Sequence, residues 1–165
     1  MKLSKFTLFL GIFIIFSAYF IQDAWNAWKV TIGKSNLILV LTFLYLWAFF
    51  TLVYRSIKSS FSVPRAILVG AISVLGLIFA LRQPYPQEKA HVLEYGLLAW
   101  LAMRDLSKNN KNILKTVLRA LIFVSIISFL EEGFQKFLPW RVFEIKDIGT
   151  NILGGILGII LFIVK

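Results

Sequence analysis

Residues 148–164 read IGTNILGGILGIILFIV, a run with no charged residue. It approaches the ~20 apolar residues that cross the hydrocarbon core of a bilayer. A helix on the surface of a soluble domain would carry charges on one face, and this one has none to offer. Upstream, residues 114–130 read LKTVLRALIFVSIISFL, with Lys115 and Arg119 near the start and only uncharged residues after them. Comparable runs occupy residues 3–21, 37–54 and 66–81, and a shorter one, 90–103, contains His91 and Glu94. Hydrophobic residues make up 59% of the 165 and charged ones 16%, against roughly 45–50% and about a quarter in a soluble domain. Six spans of roughly 18 residues leave almost nothing of the chain for a water-soluble domain. That excludes an ordinary globular enzyme, a nucleic-acid-binding module and a disordered protein. The expected fold is all-α: a polytopic membrane helix bundle of about six transmembrane helices, the fourth short.

Charge placement orients the bundle. The first run begins with Lys2 and Lys5, lacks a following small-x-small cleavage site, and is succeeded by Gln22 and Asp23 with Trp25 and Trp28. Tryptophans so placed mark a membrane–water interface, and the segment reads as an uncleaved signal anchor. The second run ends in Arg55 and Lys58, Pro64 stands near the start of the third, and residues 83–87 form a Pro-rich loop. With six crossings and both termini cytoplasmic, eleven of the eighteen Lys and Arg lie inside. If residues 90–103 did not cross, only eight would, so the positive-inside rule favours six crossings. The net charge of +10 then reflects topology and an anionic lipid surface, with no nucleic-acid partner. The absence of cysteine excludes disulfides, thiolate metal sites and a Cys nucleophile, and one His excludes a multi-histidine centre. No cofactor and no metal is expected.

The two halves differ. Residues 1–82 contain one carboxylate, Asp23, and read as an apolar three-span scaffold; residues 83–165 contain the other seven and the only His. His91, Glu94 and Tyr95 share a helix face by their i, i+3, i+4 spacing. Glu131, Glu132 and Gln135 close the fifth span; Arg141, Glu144 and Asp147 follow, with Asn151 one turn below Asp147. Under the six-span topology these groups meet at one outward-facing place. Ionisable residues at membrane depth are costly and are functional candidates by default. Each also has a plainer reading. Asp147 suits a helix N-terminus, Arg141 can pair with Asp147 or Glu144 to hold a loop, and His91 can hydrogen-bond a carboxylate. One of Glu131 and Glu132 reads as a solvated end-of-helix charge. The Gly-x-x-x-Gly pair Gly154 and Gly158, with Gly155, reads as close helix packing.

Two blocks resemble the VanZ-like family. Residues 88–98, from Glu88-Lys89 through His91 and Glu94-Tyr95, look like its helix start, in which an acid and a Lys precede a His and a Glu-Tyr pair follows three residues on. Glu131, Glu132, Gln135, Pro139, Arg141, Asp147, Asn151 and Gly154 are similar in order and spacing to its second signature. The match spans roughly residues 84–162. Two positions depart: Phe134 stands where members often have His, and Trp140 where Gly is common between Pro and Arg. The resemblance implies a multi-pass protein of the bacterial cytoplasmic membrane, in a family named for a component of teicoplanin-type glycopeptide-resistance clusters. It implies no reaction.

Three functions fit these residues. In the first, Arg141, with Lys136 and Lys146 nearby, binds an anionic envelope lipid, a cell-wall precursor or a lipoglycopeptide through its planar fork. In the second, a membrane-embedded hydrolase or transferase uses His91 or Glu132 as base and Arg141 as oxyanion stabiliser. In the third, the acids and His91 serve packing or proton movement in a scaffold or transport component. A site requires His91, Glu132, Arg141 and Asp147 to converge.

Overall fold

The computed structural model describes residues 2–33, 35–36, 39–40, 43, 47, 51, 63–82, 86–108, 110 and 112–164. Among them all regular structure is helical: α1 (Lys5–Ile32), α2 (Val63–Arg82), α3 (Pro86–Ser107), α4 (Ile113–Gln135) and α5 (Ile145–Val164). The described residues between Ser35 and Thr51 are also helical. The expected end of the second span, with Arg55 and Lys58, lies outside the described residues, as does most of the loop at 83–87.

Three boundaries differ from the sequence reading. Helix α1 runs on through the Trp-containing stretch to Ile32, because nothing there breaks a helix until Gly33, whose φ is 85°. The Pro-rich loop is shorter than expected: α3 begins at Pro86, where the missing N–H costs no helical bond. The fourth segment is therefore a helix of 22 residues rather than a 14-residue run, or about 33 Å. Composition had made it look short because its first turn is polar. Pro64 sits in the first turn of α2, as expected. Helix α4 is capped by Asn112, whose side chain accepts the Lys115 N–H at 3.0 Å.

Helices α4 and α5 are long and apolar enough to cross a membrane; apolar stretches of 10–17 residues lie in α1 (Lys5–Phe20) and α2 (Ile67–Arg82). The bundle has its polarity inverted. Phe6, Phe9, Phe13, Phe16 and Phe20 of α1 are exposed, as are Ile122, Ile126, Phe129 and Leu130 of α4, while Thr7, Ser17, Ser128, Glu131, Glu132 and Asn151 are buried. Water would favour the opposite arrangement; lipid favours this one.

One core joins both halves of the chain. Ile14 of α1 packs with Tyr95, Leu98, Ala102 and Met103 of α3, Ala120, Val124 and Ile127 of α4, and Ile159 of α5. The tightest seam is α3 on α5. A Cβ on Gly154 would lie 2.9 Å from the Val92 carbonyl oxygen, and one on Gly158 would overlap the Gly96 carbonyl. The packing role read from Gly154 and Gly158 thus has a specific cause, since the two backbones touch where only hydrogen fits, while Gly155 makes room for the Val124 side chain of α4, which a Cβ would approach to 2.8 Å.

Candidate functional site

The close α3–α5 seam brings the polar start of α3 against the start of α5, and the end of α4 closes the third side. Glu131 is the hub, with 0% of its surface exposed. Its Oε2 accepts the Tyr95 hydroxyl at 2.6 Å and the Asn151 Nδ2 at 3.4 Å. Its Oε1 accepts the Gln135 Nε2 at 3.3 Å and faces the His91 Nε2 at 3.7 Å. The other His91 nitrogen, Nδ1, lies 3.2 Å from Glu94 Oε2, so the plain reading of His91 as a partner of carboxylates holds twice. Helical spacing explains the convergence. His91, Glu94 and Tyr95 occupy one face of α3, and Ser128, Glu131 and Gln135 occupy one face of α4.

Glu132 is also 0% exposed, so neither member of the acidic pair is the solvated charge expected of one of them. Helix α4 continues to Gln135, which carries both carboxylates inside the bundle. Glu132 Oε2 accepts the Glu144 N–H at 3.3 Å, tying the end of α4 to the residue before α5. Its Oε1 has no partner. Asp147 stands in the first turn of α5, where a carboxylate suits the helix dipole, but its Oδ1 is buried and unpartnered. Asn151 is fully buried; Nδ2 donates to Ser128 Oγ at 3.0 Å as well as to Glu131, leaving Oδ1 without a donor.

Arg141 corrects an expectation. Among the described residues it forms no ion pair, neither with Asp147 nor with Glu144. Its N–H closes a turn on the Leu138 carbonyl at 3.1 Å, and the adjacent Trp140 packs edge-on against Tyr19 at 5.8 Å between ring centroids. These two anchors set the guanidinium short of both carboxylates, within electrostatic reach of His91, Glu131 and Asp147. Its Nε is buried without a partner. His91, Glu94, Tyr95, Glu131, Gln135 and Asn151 are therefore directly linked, whereas Glu132, Arg141 and Asp147 lie beside that network with polar atoms to spare.

Both departures from the family pattern face α1. Phe134, in place of a histidine, meets Phe16 edge-on at 5.6 Å, and Trp140 meets Tyr19. They pin the turn carrying Arg141 to the first helix. Among the described residues no three His, Asp or Glu side chains are grouped to hold a metal.

Two participants escaped the sequence reading. Ser128 was legible only as a hydroxyl three residues before Glu131 in an apolar run. Asp105 lies past the apolar run of α3, at the far end of the bundle from the network. It accepts the Ser4 N–H at 2.9 Å, the Thr7 hydroxyl at 2.6 Å and the Arg104 guanidinium at 3.0 and 3.1 Å; Lys108 approaches to 3.8 Å. Burial opposes its ionisation, but the bonds from Ser4, Thr7 and Arg104 outweigh it and hold the carboxyl well below the usual carboxylate range. The signal was available: a single acid beside a run of basic residues.

An inverted-polarity helical bundle with a buried carboxylate network at one end defines a membrane protein built around a polar interior site. The chain belongs to the VanZ/LLP1 family, whose sequence model matches residues 3–165, well beyond the stretch that the two motifs cover. No curated protein and no solved structure matches it.

Proposed function

We propose that this chain is a six-span protein of the bacterial cytoplasmic membrane, with both termini inside. Its outward-facing pocket binds the oxyanion-bearing head group of an envelope lipid, a cell-wall precursor or a lipoglycopeptide, and so contributes to teicoplanin-type glycopeptide resistance. One observation carries this reading. Beside a carboxylate hub whose oxygens are all engaged, four buried polar atoms have no partner: Glu132 Oε1, Arg141 Nε, Asp147 Oδ1 and Asn151 Oδ1. Unpaired buried groups cost about 1–3 kcal/mol each. Ser73 Oγ of α2 is also buried without a partner, but these four belong to residues that the end of α4, the following turn and the start of α5 carry, and a region with that surplus is shaped to receive something. A guanidinium that pairs with no carboxylate among the described residues is available to an oxyanion. The turn bearing it exposes Phe137 (82%) and Val142 (73%), which suits insertion at the lipid–water boundary.

A hydrolase with His91 as its base has less support. Both His91 nitrogens face carboxylate oxygens, so neither offers a free lone pair to a substrate proton. The test is glycopeptide susceptibility in a host lacking its own homologue, with membrane levels matched. Arg141→Ala, Glu132→Gln and His91→Ala are each expected to abolish protection against teicoplanin. If all three protect like the parent, the proposed site is wrong.

A further inference from the structure

The unpartnered atoms are unequal in kind: three are acceptors and one is a donor. Asn151 settles its own orientation, because the end that meets Ser128 Oγ and Glu131 Oε2 must be the amide nitrogen. Its oxygen is therefore the free atom. Glu132 is fully buried with Oε1 unpaired, and its other oxygen lies on the Glu144 N–H, at the start of the helix that carries Asp147 one turn on. Asp147 and Glu132 are within electrostatic reach of each other, and Asp147 of Arg141. A simple anion would satisfy Arg141 alone and would meet the field of the surrounding carboxylates. A simple cation would leave Arg141 Nε unpaired. A ligand satisfying all four atoms carries an oxyanion at one end and N–H donors a few bonds away.

We propose that the pocket recognises a zwitterionic phosphoammonium group, with Arg141 on the phosphate and the oxygens of Glu132, Asp147 and Asn151 around a primary ammonium. This rests on the head-group reading of the same site and sharpens it by adding the positive end. A primary ammonium offers three donors, matching the three acceptors. A trimethylated ammonium offers none, and a glycerol head group offers hydroxyls without charge. The exposed apolar turn beside Arg141 favours a head group presented from lipid, although free phosphoethanolamine has the same chemistry.

Binding to the purified full chain in detergent micelles tests this, using dihexanoyl phosphatidylethanolamine, phosphatidylglycerol and phosphatidylcholine followed by thermophoresis. The ethanolamine lipid is expected to bind about tenfold tighter than either of the others, a difference of about 1.4 kcal/mol. Glu132→Gln and Asp147→Asn should erase that preference, weakening the ethanolamine lipid about tenfold or more; their elution and unfolding temperatures report whether they fold. Should they not fold, the three-lipid comparison on the parent still decides. Equal affinity for all three, or tightest binding of phosphatidylglycerol, overturns the phosphoammonium proposal and leaves the oxyanion-binding function standing. No binding of any lipid by folded protein overturns both. Free phosphoethanolamine distinguishes the source. Competition as strong as the lipid assigns a soluble ligand to the same chemistry; competition about tenfold weaker or less assigns the lipid. An ammonium-free probe, inorganic phosphate, competing as well as phosphoethanolamine would sink the proposal.

Discussion

Glu131 and Asp105 are buried carboxylates at opposite ends of one bundle, and they are put to different use. Asp105 is surrounded by donors at short range: a backbone N–H, a hydroxyl, a guanidinium and an ammonium. Those donors come largely from the start of α1 and the last turn of α3, so the acid staples the chain's beginning to its middle. Nothing there is left over. The Glu131 end is also well connected, but its neighbours are not: Glu132, Arg141, Asp147 and Asn151 all keep an unpaired polar atom. Asp105 is saturated, whereas the residues beside Glu131 keep a surplus, which the proposed function assigns to a ligand.

The largest effect expected from this contrast is at the hub itself. Glu131→Ala strips the acceptor from Tyr95, Gln135 and Asn151 at once and leaves a buried void. It should cost about 3–5 kcal/mol of stability, read as a fall in unfolding temperature in nanodiscs. A loss of under about 1 kcal/mol would mean that the network does not organise the bundle. Next comes Asp105→Asn, which weakens the bonds to Ser4, Thr7 and Arg104 and should cost about 1–3 kcal/mol while leaving teicoplanin protection intact once expression is matched. Loss of protection in a stably folded Asp105→Asn would erase the division between the two ends. Glu132→Gln should do the reverse: stability within about 1 kcal/mol of the parent, with protection lost.

The smallest effect is a pH dependence at Asp105. Its carboxyl is held below the ordinary value of 3.8, so the folded state binds a proton less readily than the unfolded one. The stability this provides is complete above that ordinary value and drains away as the pH falls through it towards the lower folded one. The unfolding temperature of the parent should therefore drop more steeply below about pH 4 than that of Asp105→Asn. Parallel slopes would show that Asp105 is not the anion described.

Much of the site was legible before the fold. His91, Glu94 and Tyr95 shared a face by spacing alone, and a rare cluster of acids in an apolar chain identified which ends of which helices to inspect. Depth was less legible. Glu132 read as a candidate for a solvated helix end because hydropathy falls at that residue, but the helix runs another turn and carries it inward. The start of α3 misled in the same way, since a polar first turn looks like a loop when composition is averaged along the chain. Pairing was not legible at all. Arg141 stood three and six residues from two acids and pairs with neither, because a turn and an aromatic contact with α1 determine where its head can reach.

What the sequence determined by itself was the class of the molecule: helices whose outward residues are too apolar for water, with seven of the eight acids in one half. Those features are set by local composition and by periods of three and four residues, which act along a single helix. Which polar atoms end up satisfied was decided only by tertiary structure. The distance from Glu131 to Tyr95 or from Glu132 to the start of α5 depends on how α4 packs against α3 and α5, which themselves meet backbone to backbone at Gly96 and Gly158. The surplus beside the hub arises the same way, since a hydrogen bond requires its atoms within about 3 Å, and no spacing along the chain places atoms from different helices that finely.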